Sequence, residues 1–261
     1  MRIKDGRVVS AGMAALNKES AICPIGRFAL PQMVNSPRRL RKIAVRRGRE
    51  QVPVPPEEAV ERLFEILSQN SGKILVISNA GATYESRKAM RAISGAFGGK
   101  LVEMPLDSDA SDLPSDISAD LAAGKYSAVL SYGDYISDEA AQKIGHLAIF
   151  DVMKTPAQKF AEVVLPISAF AETSGTLAAP DGSKMAVPAA VASSGDQRPL
   201  NGYLCDLCKK LGVDVKKYDF DLEPLPADFK SPTEDKKALP RRVLGHFLAD
   251  YVPDLGLLGL P

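Results

Sequence analysis

Between residues 56 and 165 the chain repeats one pattern: a short apolar run, a stretch with helical spacing, then another short apolar run. The runs are Lys73–Ser78 (KILVIS), Leu101–Met104, Ser127–Leu130 (SAVL), Leu147–Phe150 (LAIF) and Val163–Leu165 (VVL). A strand with one wet face alternates apolar and polar residues. These runs do not alternate, so both of their faces must be covered. The intervening segments supply the cover. Pro56-Glu57-Glu58 starts a helix, with proline in the first turn and acids at the positive end of the dipole. Val60, Leu63, Phe64 and Leu67 follow on one stripe, and Met90, Ile93 and Phe97 form another within a helix predicted over Glu85–Phe97. The expected fold class is α/β: a Rossmann-like parallel sheet with helices on both faces. An irregular basic N-terminal segment precedes it, and an extended C-terminal tail follows.

The flanks read differently. Residues 3–9 predict strand, turn and strand, with Asp5-Gly6 as the turn. Residues 21–50 read as irregular and basic, and the prolines of 51–56 (QVPVPP) as a linker. Residues 107–120 predict a surface loop entering a short helix. Gly175, Pro180, Gly182, Pro188 and Gly195 mark 171–198 as a long ordered loop or β-meander. Leu200–Leu211 predicts a helix closed by Gly212 at its C-cap. Residues 213–238 read as extended. Residues 239–252 predict a last amphipathic helix, and the apolar tail LGLLGLP is expected to pack on this chain or a partner. The boundaries expected are 1–55, 56–212 and 213–261.

Charge is divided along the chain. Residues 1–50 carry twelve Lys/Arg against Asp5, Glu19 and Glu50, seven of them between Arg38 and Arg49. Residues 103–139 carry nine acids against Lys125. This gives either two solvated faces of opposite sign or an electrostatic docking surface for a partner. Nucleic acid is not the expected partner, because the basic run has no interleaved aromatics and no finger or helix-turn-helix pattern. No apolar run approaches the ~18 residues of a membrane span. The first residues lack the apolar core of a secretory signal, and three cysteines suit a reducing compartment, so a cytoplasmic location is expected. Two histidines, His146 and His246, leave little material for a histidine-based metal or acid–base site.

Several local features could carry chemistry. Asn79-Ala80-Gly81-Ala82 joins a strand to a helix, where backbone amides can cradle a phosphate; it also reads as a plain structural turn, lacking G-x-G-x-x-G. Tyr132-Gly133-Asp134 stands at a comparable strand end. Glu103, on the next strand, is a weak ribose partner. Glu172 and Asp181 could pair as carboxylates in acid–base work, though nothing in the sequence orients them. Cys205 and Cys208 have redox or zinc spacing, but they sit on an apolar helix stripe with Leu204 and Leu211, which favours packing in the core.

Two segments together resemble the large subunit of the molybdopterin oxidoreductase superfamily, which includes formate dehydrogenase alpha chains and the corresponding subunits of respiratory complex I and of formylmethanofuran dehydrogenase. The first runs over 6–48: GRVV, then ICPIGRF, then NSPRRLRKIAVRRG. Cys23, Gly26 and Arg27 stand where the family places the fourth ligand of a [4Fe–4S] cluster and its neighbours. The second is FAEVVLPISAFAETSGTLAAPDGSKMAV, followed by Arg198-Pro199 and Leu211-Gly212. It is similar to the family's Ala-Asp-Val-Val-Leu-Pro strand, its Glu-x-x-Gly-Thr turn and its Asn-x-Glu-Gly-Arg loop. Gly182 keeps the glycine of that loop, but Ala178 to Ser183 lacks the asparagine and arginine that would bind a pterin cofactor. No segment corresponds to the molybdenum ligand.

The resemblance therefore implies a truncated chain that has lost its pterin and molybdenum site. The expected function is a non-catalytic scaffold or electron-transfer subunit of a multisubunit redox complex, with no catalytic residues of its own. Its expected partners are iron–sulfur and/or flavin subunits, with no nucleic acid and no membrane span. The chain alone is expected to hold no cofactor and no molybdopterin. Cys23 is either inert or one ligand of a [4Fe–4S] cluster whose other ligands come from a partner, since one cysteine cannot hold such a cluster. The alternative is a small nucleotide-binding oxidoreductase using the turns at Gly81 and Gly133.

Overall fold

The computed structural model describes residues 2–5, 7–11, 31–105, 113–178 and 182–222. Its centre is a seven-stranded sheet. The parallel strands are β5 (Ile74–Asn79), β6 (Lys100–Met104), β7 (Ala128–Tyr132), β8 (His146–Asp151) and β9 (Val163–Pro166). They lie in the order β6-β5-β7-β8-β9. Their side chains alternate between two buried layers, which is why the sequence shows unbroken apolar runs. Ile74, Val76, Leu130 and Phe150 face one layer, and Leu75, Ile77, Val129 and Ile149 face the other.

The first layer is covered by α1 (Pro56–Gln69), α2 (Tyr84–Ala96) and α5 (Leu200–Leu211). The second is covered by α3 (Ser115–Ala122), α4 (Asp138–Lys143) and a 3-10 turn at Pro156–Phe160. Each helix starts and stops for local reasons. Pro56 opens α1 with Glu57 and Glu58 behind it, Thr83 caps α2 and Ser137 caps α4 through their hydroxyls. Gly212 closes α5 at φ 65°, a left-handed position that favours glycine.

One expectation fails at the edge of the sheet. Residues 44–53, read as irregular chain and linker, form a hairpin of β3 (Ala44–Arg47) and β4 (Glu50–Pro53). β3 pairs antiparallel with β9, so the hairpin extends the central sheet. Val45 points into the core and Gly48 turns at φ 66°. Arg46 is held by the carbonyls of Ala161 and Lys159.

At the chain's start, β1 (Arg2–Lys4) and β2 (Arg7–Ser10) pair as expected. Val8 packs on Val34, Ala169 and Ala171. A second hairpin, β10 (Gly175–Ala178) with β11 (Lys184–Val187), gives the 171–198 region its order. Residues 213–222 are not simply extended: Val215–Tyr218 makes a 3-10 turn, and the chain then lies along α2. The predicted helix over 239–252 and the apolar tail lie outside the described residues.

Candidate functional site

In a doubly wound sheet the place for a ligand is the crevice outside the carboxyl ends of the strands, where the winding reverses. Here the reversal falls between β5 and β7. Gly81 follows β5 and Gly133 follows β7, so the structure brings these two expected positions to the switch point. The sequence reading placed Asn79 in this turn but gave its side chain no role, and that side chain organises the place. Its Oδ1 accepts from the Gly81 amide at 2.6 Å. Its Nδ2 donates to the Pro105 carbonyl at 3.0 Å and to the Tyr135 hydroxyl at 2.5 Å. One side chain thus ties together the loops after β5, β6 and β7. Gly133 adopts φ 92°, its amide donates to the Phe150 carbonyl at 2.9 Å, and its carbonyl accepts from Ser131 Oγ at 2.7 Å.

The start of α2 is met by the β10–β11 hairpin. Glu85 Oε2 accepts from the Thr176 amide at 3.1 Å. Burial alone would raise the Glu85 carboxyl, but hydrogen bonds from the Thr176 hydroxyl and amide, from its own amide and from Thr83 bring it below its ordinary value. Gly175 is required there: a Cβ would stand 2.7 Å from Thr83 Cγ2 and 3.0 Å from Glu85 Oε2. Lys184 Nζ sits 3.9 Å from the centre of the Tyr84 ring. Gly182 lies in the connection of this hairpin at φ 81°, and Asp181 lies outside the described residues.

Glu103 is not available to a ribose. Arg87 Nε donates to its Oε1 at 3.0 Å and Arg91 to its Oε2. The two guanidinium groups also lie over the Phe220 ring, at 4.8 and 4.2 Å from its centre.

The other expected residues are dispersed. Glu172, read as a possible partner of Asp181 in acid–base work, is held by a cation. It is buried and receives both terminal nitrogens of Arg39, with Arg39 Nη1 at 2.6 Å from Oε1, while Oε2 also accepts from the Ala169 amide at 2.8 Å. The basic run is accordingly split: Arg39 is buried, whereas Arg38, Arg41, Lys42, Arg47 and Arg49 are exposed. Cys23 lies outside the described residues. Cys208 packs in the core, where burial pushes its thiol up to about 12, but Cys205 is exposed, so only one of the two is a core residue. His146 Nδ1 lies 2.6 Å from Glu162, which also accepts from Arg62 Nε at 2.6 Å. Among the described residues no three His, Cys, Asp or Glu side chains gather to hold a metal ion. No described helix is long and apolar enough to cross a membrane.

Comparison with known proteins adds a family. The model of the molybdopterin oxidoreductase family matches residues 58–210, from α1 to α5 and more than half of the 261 residues. No curated protein matches the chain.

Proposed function

We propose a function from one premise: the chain belongs to the molybdopterin oxidoreductase family. It serves as a non-catalytic scaffold or electron-transfer subunit of a multisubunit redox complex, alongside formate-dehydrogenase-like or complex-I-like iron–sulfur and flavin subunits. The observation that carries this reading is the self-satisfied switch point. Asn79 spends its side chain on Gly81, Pro105 and Tyr135, and Glu103 is taken by Arg87 and Arg91. A dinucleotide-sized anionic cofactor needs several charge-assisted donors aimed at it. Asn79 and Glu103 are aimed at protein groups, and the acidic residue in the first turn of α2, Glu85, is negative. These residues do not fit the family's pterin cofactor.

Cys23 offers one ligand to a [4Fe–4S] cluster completed by a partner chain, in keeping with its Cys-Pro-Ile-Gly-Arg setting. A second reading keeps one observation in its favour. Gly81 and Gly133 do stand at the switch point of a doubly wound sheet, which is where a small nucleotide-binding oxidoreductase would bind its ligand.

The test is to isolate the native protein from its own cells and record the absorption spectrum and metal content of what accompanies it. Iron, with or without flavin, on companion chains is the expected result, and Cys23→Ala then reports whether a cluster is shared. A colourless, solitary chain whose melting temperature rises with added nucleotide would overturn the scaffold reading in favour of the second.

A further inference from the structure

We propose that the outward stripe of α2 is a recognition surface for an acidic–aromatic peptide segment, and that its occupant is this chain's own Tyr218-Asp219-Phe220, held in cis as an exchangeable strap. This goes beyond the scaffold reading and does not depend on what the switch point binds.

Tyr84, Arg87, Lys88, Arg91 and Gly95 recur at helical spacing and share one face of α2. Each residue of the segment meets this stripe through a different chemistry. Tyr218 lies on Gly95, where a Cβ would stand 2.6 Å from Tyr218 Cε1. Gly95 has no positive φ, so the approach of the ring, not the backbone, is what calls for glycine there. Asp219 accepts from Lys88 Nζ and, at 3.0 Å, from the Tyr84 hydroxyl. The Phe220 ring lies against the faces of Arg87 and Arg91, at 4.8 and 4.2 Å, with the Tyr84 ring centre 4.9 Å away. The edges of both guanidinium groups are spent on Glu103, which leaves their faces for a ring.

The stripe therefore selects an order: aromatic, acid, aromatic. A purely apolar segment would leave Lys88 unanswered, and a purely acidic one would waste Gly95 and the guanidinium faces. The segment is also held more lightly than the core. The Asp219 side chain is 62% exposed, and Tyr218 and Phe220 are only half-buried. Arg91 Nε is buried without a hydrogen-bond acceptor while the ring lies against its guanidinium, which costs stability. Exposed ion pairs and cation–π contacts each contribute little. The short connection from Gly212 supplies the rest, since a tethered segment acts at an effective concentration of about millimolar or higher. A contact of this kind opens and closes without unfolding the sheet.

The experiment uses the full chain and, as probe, a synthetic peptide of residues 214–222 (DVKKYDFDL). Tryptic cleavage after Lys216 and Lys217 reports opening of the strap, and the peptide's NMR shifts report binding in trans. Phe220→Ala removes both cation–π contacts and leaves the stripe intact. Gly95→Ala wedges Tyr218 off a helix that alanine itself favours. Cleavage should be about tenfold faster in Phe220→Ala, with the melting temperature little changed. Phe220→Ala should also bind the peptide about tenfold more tightly than wild type, because its own strap no longer competes. Adding Gly95→Ala to Phe220→Ala should abolish that gain. Unchanged cleavage in both single variants would overturn the strap. Faster cleavage with no gain in peptide affinity would overturn the recognition surface. Collapse of the whole fold in Phe220→Ala would overturn both, making the segment part of the core. A wild-type dimer that Phe220→Ala dissolves would overturn occupancy in cis in favour of exchange with a second copy.

Discussion

Glu172 and Glu85 fasten the same stretch of chain in opposite ways. Glu172 sits at the start of that stretch, buried, with a guanidinium on both oxygens. Its partner, Arg39, belongs to the segment that leads into the β3–β4 hairpin, so the pair joins the N-terminal part of the chain to the loop after β9. Glu85 holds Thr176, four residues further on, from a half-buried position and with neutral donors. The buried pair cannot be opened piecemeal, because removing one partner strands a charge in a medium that does not solvate it. The half-buried carboxylate can be released into water at modest cost. The first contact is therefore a permanent joint, and the second is the kind of contact a solution condition or a ligand can shift.

The sharpest way to break this comparison is to remove one charge from the buried pair. Glu172→Gln or Arg39→Met should cost about 3–5 kcal/mol in urea unfolding, since each leaves its partner buried and uncompensated. The doubly apolar Arg39→Met/Glu172→Met chain should recover part of that loss. A single variant costing less than about 1 kcal/mol, the range of a surface pair, would show that the joint is not what holds the two segments together.

Gly175→Ala comes next. It crowds Thr83 and the Glu85 carboxylate without removing a charge, and overpacking of this kind costs about 1–3 kcal/mol. The expected change is local: faster amide exchange in β10 and β11, with the protection of β5 and β7 kept. Loss of protection throughout the sheet would mean that the hairpin is a structural joint too.

The two fastenings were not equally legible in the sequence, and neither was legible in full. The central strands could be read because burial on both faces leaves no polar alternation to confuse the pattern, and Gly81 and Gly133 followed from where those strands end. The β3–β4 hairpin was hidden by its arginines and prolines. Its signal was the alternation of Val45 and Val52 with polar neighbours around Gly48, and Arg46 takes a strand position there by donating to backbone carbonyls. Glu172 and Arg39 stand 133 positions apart, and Glu85 and Thr176 stand 91 apart. A pairing over such distances is created by the topology, and no local spacing encodes it. Asn79 was named as part of its turn, but its side-chain role was missed for a related reason: two of its partners follow the ends of other strands.

The smallest expected effect concerns pH and separates the two carboxylates most cleanly. The carboxyl of Glu85 lies below its ordinary value of 4.5 in the folded chain, burial raising it but the donors around Thr176 prevailing. A group with a lowered folded value adds stability above its unfolded pKa and loses it as pH falls through the folded one. The stability difference between wild type and Glu85→Gln should thus be constant from about pH 8 to about pH 5 and shrink below about pH 4.5. Asp120 and Asp219 are lowered as well, by Lys125 and Lys88 respectively, but both are common to the two proteins and cancel in the difference. Lys88, one turn along α2, also faces Glu85 and stays charged throughout that range. The midpoint of urea unfolding, followed down to about pH 3 for both chains, makes the measurement. If the difference holds to the bottom of that range, Glu85 is not acting through its charge, and the contrast with the buried pair collapses to one of position alone.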